Sequence, residues 1–217
     1  MTKTLSRLQI GKKVIGFGRH CLIAVVTLGA VLSLQLYSLS SRAVEANSTP
    51  VATGNQWQNA SFPVENFQGY TSPFGYRQSP TGGYSREFHS GLDIAAPMGS
   101  YVRNWWSGTV ADVIDDGRCG TGLVIQSGDW EHIYCHMQGR AQIIQGRRAL
   151  VDRAGGIQIW EGQQIMAGTR IGRVGMTGRS TGPHLHWGLR YANEWYDPAL
   201  VLRAMYGEQR QRISQQP

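Results

Sequence analysis

Acidic residues are nearly missing from the start of this 217-residue chain: among residues 1–46 only Glu45 faces Lys3, Arg7, Lys12, Lys13, Arg19 and Arg42. That segment therefore carries +5 of the formal net charge of +7, and the remainder is close to balanced at +2. A body so nearly neutral excludes the basic face that nucleic-acid binding requires. Cysteine is scarce as well, with three in the whole chain, which leaves room for a single bridge. No internal repeat is visible, so a repeat-built binding module is excluded. What the chain does have is 28 Gly, 8 Pro, 7 Trp and 9 Tyr. Glycine weakens helices and aromatics suit pleated surfaces, so the composition predicts a mainly β, turn-rich fold.

The basic start runs into an apolar stretch from Cys21 to Tyr37 and then Val44-Glu45-Ala46, with small residues where a signal peptidase cuts. Residues 1–46 read as a secretory signal, with an uncleaved membrane anchor as the alternative. Either reading puts residue 47 onward outside the cytoplasm, in the periplasm or beyond, and confines membrane contact to 21–37. Cys21 then falls in the leader, and Cys119 and Cys135 remain as a pair in an oxidising compartment. Thr121 to Gln126, a Ser127-Gly128-Asp129 turn and Trp130 to Tyr134 read as a hairpin that folds the two cysteines toward each other. A disulfide is expected; two buried thiols or metal ligation are the alternatives.

Residues 47–68 are polar and without period, a linker or strap. The folded domain is expected at 69–206, ending in a short helix capped by Asp197-Pro198, and 207–217 reads as a frayed tail. A strand is expected from Tyr101 to Val113. The stretch from Gly139 to Ile159, with Arg140, Arg147, Arg148 and Arg153, suggests further strands or a loop insertion.

The most informative stretch is Thr177 to Arg190, TGRSTGPHLHWGLR. If it is extended, His184, His186, Gly188 and Arg190 share one face and Leu185, Trp187 and Leu189 the other, a polar site backed by a core. A second stretch sets His89 and Asp93 four residues apart. On a straight strand that is roughly 13 Å, too far for both to reach one ion, so the chain must bend at Gly91. His132 and His136 recur at the same spacing, but Ile133 stands where a helical zinc motif needs Glu, and the surrounding residues favour a strand. His136, at the strand's end, is taken as functional and His132 as a surface residue of the hairpin.

Taken in order, His89-x-x-x-Asp93, Tyr134-x-His136 and Thr177-Gly-x-Ser-Thr-Gly-Pro-His-Leu-His186 resemble the lysostaphin/LytM-type zinc metallo-endopeptidases of bacterial cell walls. Ser72-x-Phe74-Gly75-x-Arg77, Asp93-Ile-Ala-Ala-Pro97, Gly108-x-Val110 and Asp197-Pro198 extend the resemblance over most of the chain beyond the leader. It implies a single antiparallel β-domain of the barrel-sandwich hybrid kind, with one zinc ion at the floor of an open groove. It implies His89, Asp93 and His186 as zinc ligands and His136 and His184 as the catalytic pair. The implied substrate is the peptide part of peptidoglycan, with cross-links of D-alanine to a diamino acid expected and glycine bridges as the second possibility. Trp105, Trp106 and Trp187 are candidates for the groove or for the core. The rival is a catalytically inactive domain of the same fold that activates another wall hydrolase. A third reading is a protein that merely holds metal, with a fourth ligand from the strap or from residues 79–86.

Overall fold

A computed structural model describes residues 56–79, Gly82 and residues 84–215. The expected leader lies outside the described residues, and among those residues no helix is long and apolar enough to cross a membrane.

The chain runs through β1 (Gly69–Ser72), β2 (Gly75–Gln78), β3 (Arg86–His89), β4 (Gly91–Ala95), β5 (Tyr101–Arg103) and β6 (Gly108–Asp116). A long hairpin of β7 (Gly120–Ser127) and β8 (Trp130–Met137) leads to β9 (Arg140–Ile144), β10 (Arg147–Asp152) and β11 (Ile157–Trp160). Then come β12 (Gln164–Ile165), β13 (Arg170–Arg173), β14 (His184–Tyr191), β15 (Glu194–Tyr196) and α1 (Pro198–Ser214). Among the described residues all strand pairings are antiparallel, and the principal sheet has the order β1-β4-β14-β8-β7-β6-β12, with β15 on β14. The mainly β architecture expected from composition is the one observed.

Three adjacent strands, β4, β14 and β8, organise the centre. Leu92, Ile94, Leu185, Trp187, Leu189 and Tyr134 are almost fully buried and form one face. The register sets Trp187 opposite both Leu92 and Tyr134, so these side chains stack across strands. The other face carries Asp93, His186 and Cys135, since Asp93 and Cys135 each stand directly opposite His186. Strand alternation thus separates core from site as the sequence predicts.

One expectation is corrected, and two left with alternatives are decided. The strand predicted from Tyr101 to Val113 is interrupted at 104–107, where buried Asn104 donates to the Ile165 carbonyl and accepts from the Tyr134 hydroxyl. Trp105 and Trp187 are fully buried in the core, and none of the three candidate tryptophans lines the site. Residues 139–160 form their own three-stranded sheet, β11-β10-β9, tied to β13 by a bidentate pair in which Arg173 donates to Asp152 at 2.6 and 2.8 Å.

The strap is also part of the fold. A 3-10 turn over Gln56–Asn59 buries Trp57 against Trp105, Trp106 and Trp130, with ring centroids 5.9 to 6.4 Å apart. Val64 bridges to Val102, and Glu65 pairs with Arg103 and Arg170. The C-terminal stretch read as a frayed tail instead continues α1 to Ser214. It is held because Glu208 accepts from the Trp57 amide and Gln209 donates to the Ala60 carbonyl. The expected limits at 69 and 206 therefore fall inside the fold, which the described residues extend on both sides, from Gln56 to Ser214.

His132 is no surface residue. It is fully buried beside Trp105, with ring centroids 4.9 Å apart, and neither ring nitrogen has a hydrogen-bond partner among the described residues. Burial disfavours the imidazolium and pushes its pKa down to about 3 from the ordinary 6.5. The unfolded chain thus binds a proton that the folded one refuses between those values. The His132 contribution is complete above pH 6.5 and is lost as pH falls toward 3, at about 1.4 kcal/mol per pH unit. His132→Leu is expected to flatten this slope. Urea unfolding of both proteins at pH 5 and pH 7 measures it, because the other histidines cancel in the difference; parallel slopes would refute it.

Candidate active site

β3 ends at His89 and β4 starts at Gly91, so the turn through Ser90 supplies the bend that the His89 to Asp93 spacing demands. The two side chains meet with His89 Nε2 3.0 Å from Asp93 Oδ1. Gly91 serves close approach too: a Cβ there would stand 2.7 Å from Cε1 of His186 and from the Trp187 carbonyl oxygen. β14 brings in His186, whose Nδ1 lies 3.0 Å from Asp93 Oδ1 and 2.9 Å from His89 Nε2. His89, Asp93 and His186 form the metal-competent group found among the described residues. Tetrahedral ligands about 2.0 Å from one ion stand about 3.3 Å apart, so the 2.9 to 3.0 Å triangle is close to what zinc asks. The donor chemistry agrees. His89 Nδ1 donates to the Pro73 carbonyl at 2.7 Å, which leaves the Nε2 lone pair pointing at the other two donors.

Arg77 completes this group from behind. Its guanidinium donates to Asp93 Oδ2 at 3.0 Å and to the Ser72 hydroxyl, leaving Oδ1 for the triangle. Burial alone would raise the Asp93 carboxyl, but the imidazoles of His186 and His89 beside it outweigh that and hold the group well below the usual carboxylate range. Burial likewise pushes His186 down. Arg77 lies within the Ser72-x-Phe74-Gly75-x-Arg77 motif, where nothing in the sequence assigns it a role; its distance from Asp93 along the chain hides a contact made only by the fold.

His136 reaches the same place by a device of its own. The β7–β8 register pairs Thr121 with Met137 but Leu123 with Tyr134, a bulge next to His136, whose φ of 63° is left-handed. On an unbroken strand His136 would follow His132 and Tyr134 into the core. The bulge turns it to the face of Ile133 and Cys135, which line the cleft. The His136 amide donates to the Cys119 carbonyl at 2.8 Å, and a disulfide joins Cys119 to Cys135. Its Nδ1 donates to the Thr177 carbonyl at 2.8 Å, so Nε2 carries the lone pair. Burial pushes its pKa down to about 4, which keeps the ring neutral at pH 7.

His184 is set in the same way, with Nδ1 donating to the Gly182 carbonyl at 2.8 Å and Nε2 3.6 Å from Asp93 Oδ1. The His136 and His184 rings lie 4.8 Å apart. The four predicted histidines and the one carboxylate thus line one cleft of about 170 Å³. Thr177, the other residue without a predicted role, locks the loop: its hydroxyl accepts from the Thr121 amide and donates to the Met137 carbonyl, both at 2.9 Å.

A sequence profile described as Peptidase family M23 matches residues 87–198, just over half the chain. The chain belongs to peptidase family M23. This is the family to which its lysostaphin/LytM-type motifs point. The M23 chain is 33% identical over 132 residues to a protein of Neisseria meningitidis named DD-carboxypeptidase/endopeptidase Mpg, covering 60% of this chain and 26% of that protein. It is 33% identical over 102 residues to the peptidoglycan DD-endopeptidase ShyA of Vibrio cholerae, covering 46% and 20%. It therefore spans about a quarter or less of the length of these relatives. A solved structure described as a putative peptidase M23 from Pseudomonas aeruginosa superposes with a TM-score of 0.50 at 25% identity, covering 79% of this M23 chain and 60% of that one.

Loss of Arg77 is expected to weaken the metal site without emptying it. Arg77→Met should lower zinc affinity about 10- to 100-fold, because Asp93 Oδ2 loses the partner that orients the carboxylate. Competition with a chromophoric chelator reads the change; an unaltered affinity would mean that Arg77 merely supports the β2–β3 hairpin.

Proposed function

We propose that this chain is an exported zinc endopeptidase that hydrolyses peptide bonds in the stem peptides or cross-links of peptidoglycan. The carrying observation is the convergence of His89 Nε2, Asp93 Oδ1 and His186 Nδ1 within 3.0 Å, beside two more imidazoles whose Nδ1 atoms are engaged by carbonyls. Three ligands leave a fourth position open, as catalytic zinc requires. The names of the Neisseria and Vibrio relatives support the substrate class and action in the cell envelope.

His89, Asp93 and His186 hold the ion, and Arg77 orients Asp93. When bound, zinc supplies the Lewis acid that polarises a scissile carbonyl and makes water acidic enough to attack at neutral pH. His136 and His184 supply the rest. A neutral imidazole with a free Nε2 accepts the proton that water gives up and returns it to the departing amine, while its neighbour, when it carries a proton on Nε2 as well, donates to the oxyanion. The two rings divide these tasks, and no glutamate base is required.

The test uses the purified protein: zinc content, digestion of isolated peptidoglycan, and mass analysis of the fragments. One zinc per chain with cut peptide bonds, both lost to a chelator and restored by zinc, is the expected result. Bound zinc without any cleavage would favour the regulator of another hydrolase.

A further inference from the structure

Beyond the ligand triangle the cleft continues into an outer recess between Phe88, Ser90, Gly117 and Trp195, with Arg118 and Arg179 at its edge. Three arginines gather near Glu87, and two of them are engaged. Arg77 holds Asp93 and lies 3.7 Å from Glu87, and Arg179 makes a bidentate pair with Glu87 at 2.9 Å on each arm. Arg118 differs. Its guanidinium is exposed and makes no hydrogen bond or ion pair among the described residues, acting on Glu87 only through space. Asp116, two residues away, directs Oδ1 to the Arg118 and Cys119 amides at 2.8 and 2.7 Å.

An exposed arginine is most often a solvated surface side chain. This one stands on backbone that is fixed from three sides. The Arg118 carbonyl accepts from the Arg179 amide at 3.0 Å, and the Cys119–Cys135 disulfide and the bond from the His136 amide to Cys119 join the next residue to the catalytic strand. Gly120, at φ 68°, packs so tightly that a Cβ would stand 2.3 Å from the Thr177 carbonyl carbon. The loop bearing Arg118 is thus locked to the segments bearing His136 and His184. An unpaired guanidinium carried on fixed backbone at the mouth of this cleft is suited to a carboxylate, whose two oxygens match its fork.

We propose that Arg118 binds a free carboxylate of the substrate peptide in this outer recess and makes the chain prefer carboxylate-bearing peptides to their amides. The proposal rests on the peptidase reading above. Two carboxylates of a stem peptide have this chemistry: the terminal α-carboxylate, and the one on the side chain of a diamino acid.

The zinc-loaded full chain is assayed on synthetic cross-linked stem peptides with both carboxylates free, or with one or the other amidated. Amidating the recognised group should raise KM about tenfold with kcat within about twofold, and the arm that responds identifies which carboxylate is read. Arg118→Ala should erase the difference between acid and amide, Arg118→Lys should keep part of it, and Arg118→Glu should reverse it. A wild type indifferent to amidation at both positions, or a preference that survives in Arg118→Ala, overturns the proposal. Should the wild type cleave none of the peptides, the peptidase reading fails, and calorimetric binding of the same peptides still decides Arg118. Tighter binding of the acid that Arg118→Ala abolishes supports the assignment; equal binding of acid and amide overturns it.

Discussion

Zinc content is expected to fall from one ion per chain to near zero when Asp93 is replaced by alanine. Asp93 is the one anionic member of the triangle, and its Oδ1 is the point on which both His89 Nε2 and His186 Nδ1 converge at 3.0 Å. Alanine would leave two imidazoles and the Arg77 guanidinium, whose remaining carboxylate neighbour is Glu87 at 3.7 Å. The folded site would then lack the one anionic ligand that attracts a dication. Hydrolysis should vanish with the metal, because the remaining imidazoles have no activated water to deprotonate. Metal analysis after gel filtration decides the matter independently of activity. A full equivalent of zinc retained by Asp93→Ala would remove Asp93 from the ligand set, and with it the whole assignment of the triangle.

Replacement of His184 by alanine should have the opposite signature: zinc retained, rate reduced about 10²- to 10⁴-fold. His184 stands at the start of β14, two residues before His186 on the same face, and its ring is oriented by the Gly182 carbonyl. Removing it takes away one of the two imidazoles beside the triangle but none of the triangle's three atoms. The corresponding change at His136 is a less clean probe, because that residue sits at left-handed φ beside the disulfide and its loss would disturb the bulge as well. A comparison of kcat and zinc content for His184→Ala therefore separates the two groups of histidines. If the metal leaves with His184 while the rate per bound zinc is unchanged, the ligand and catalytic roles must be exchanged.

These two residues also show how far the chain could be read without coordinates. Alternation along Leu185, His186, Trp187 and Gly188 divides core from site whatever the neighbouring strands are, because the pleat alone sends successive side chains to opposite faces. The His89 to Asp93 interval demands a bend near Gly91 from chain geometry alone, and the bend is there. Local properties of this kind survive in any fold that keeps the segment extended.

His132 and His136 show the opposite case. Their equal parity on one strand places them on one face, yet the bulge puts His132 in the core and His136 in the cleft. A bulge exists only where a partner strand imposes it, so the β8 residues by themselves do not reveal it. Trp57 in a polar stretch, the helix continuing to Ser214 and the Arg77 contact with Asp93 are hidden for the same reason. Each depends on a residue far along the chain. The sequence by itself determined the residue types able to hold a metal and the strand faces that carry them. Only the tertiary structure decided which histidine is buried, what orients Asp93, and where the free charge of Arg118 stands, because those follow from long-range pairing and not from local periodicity.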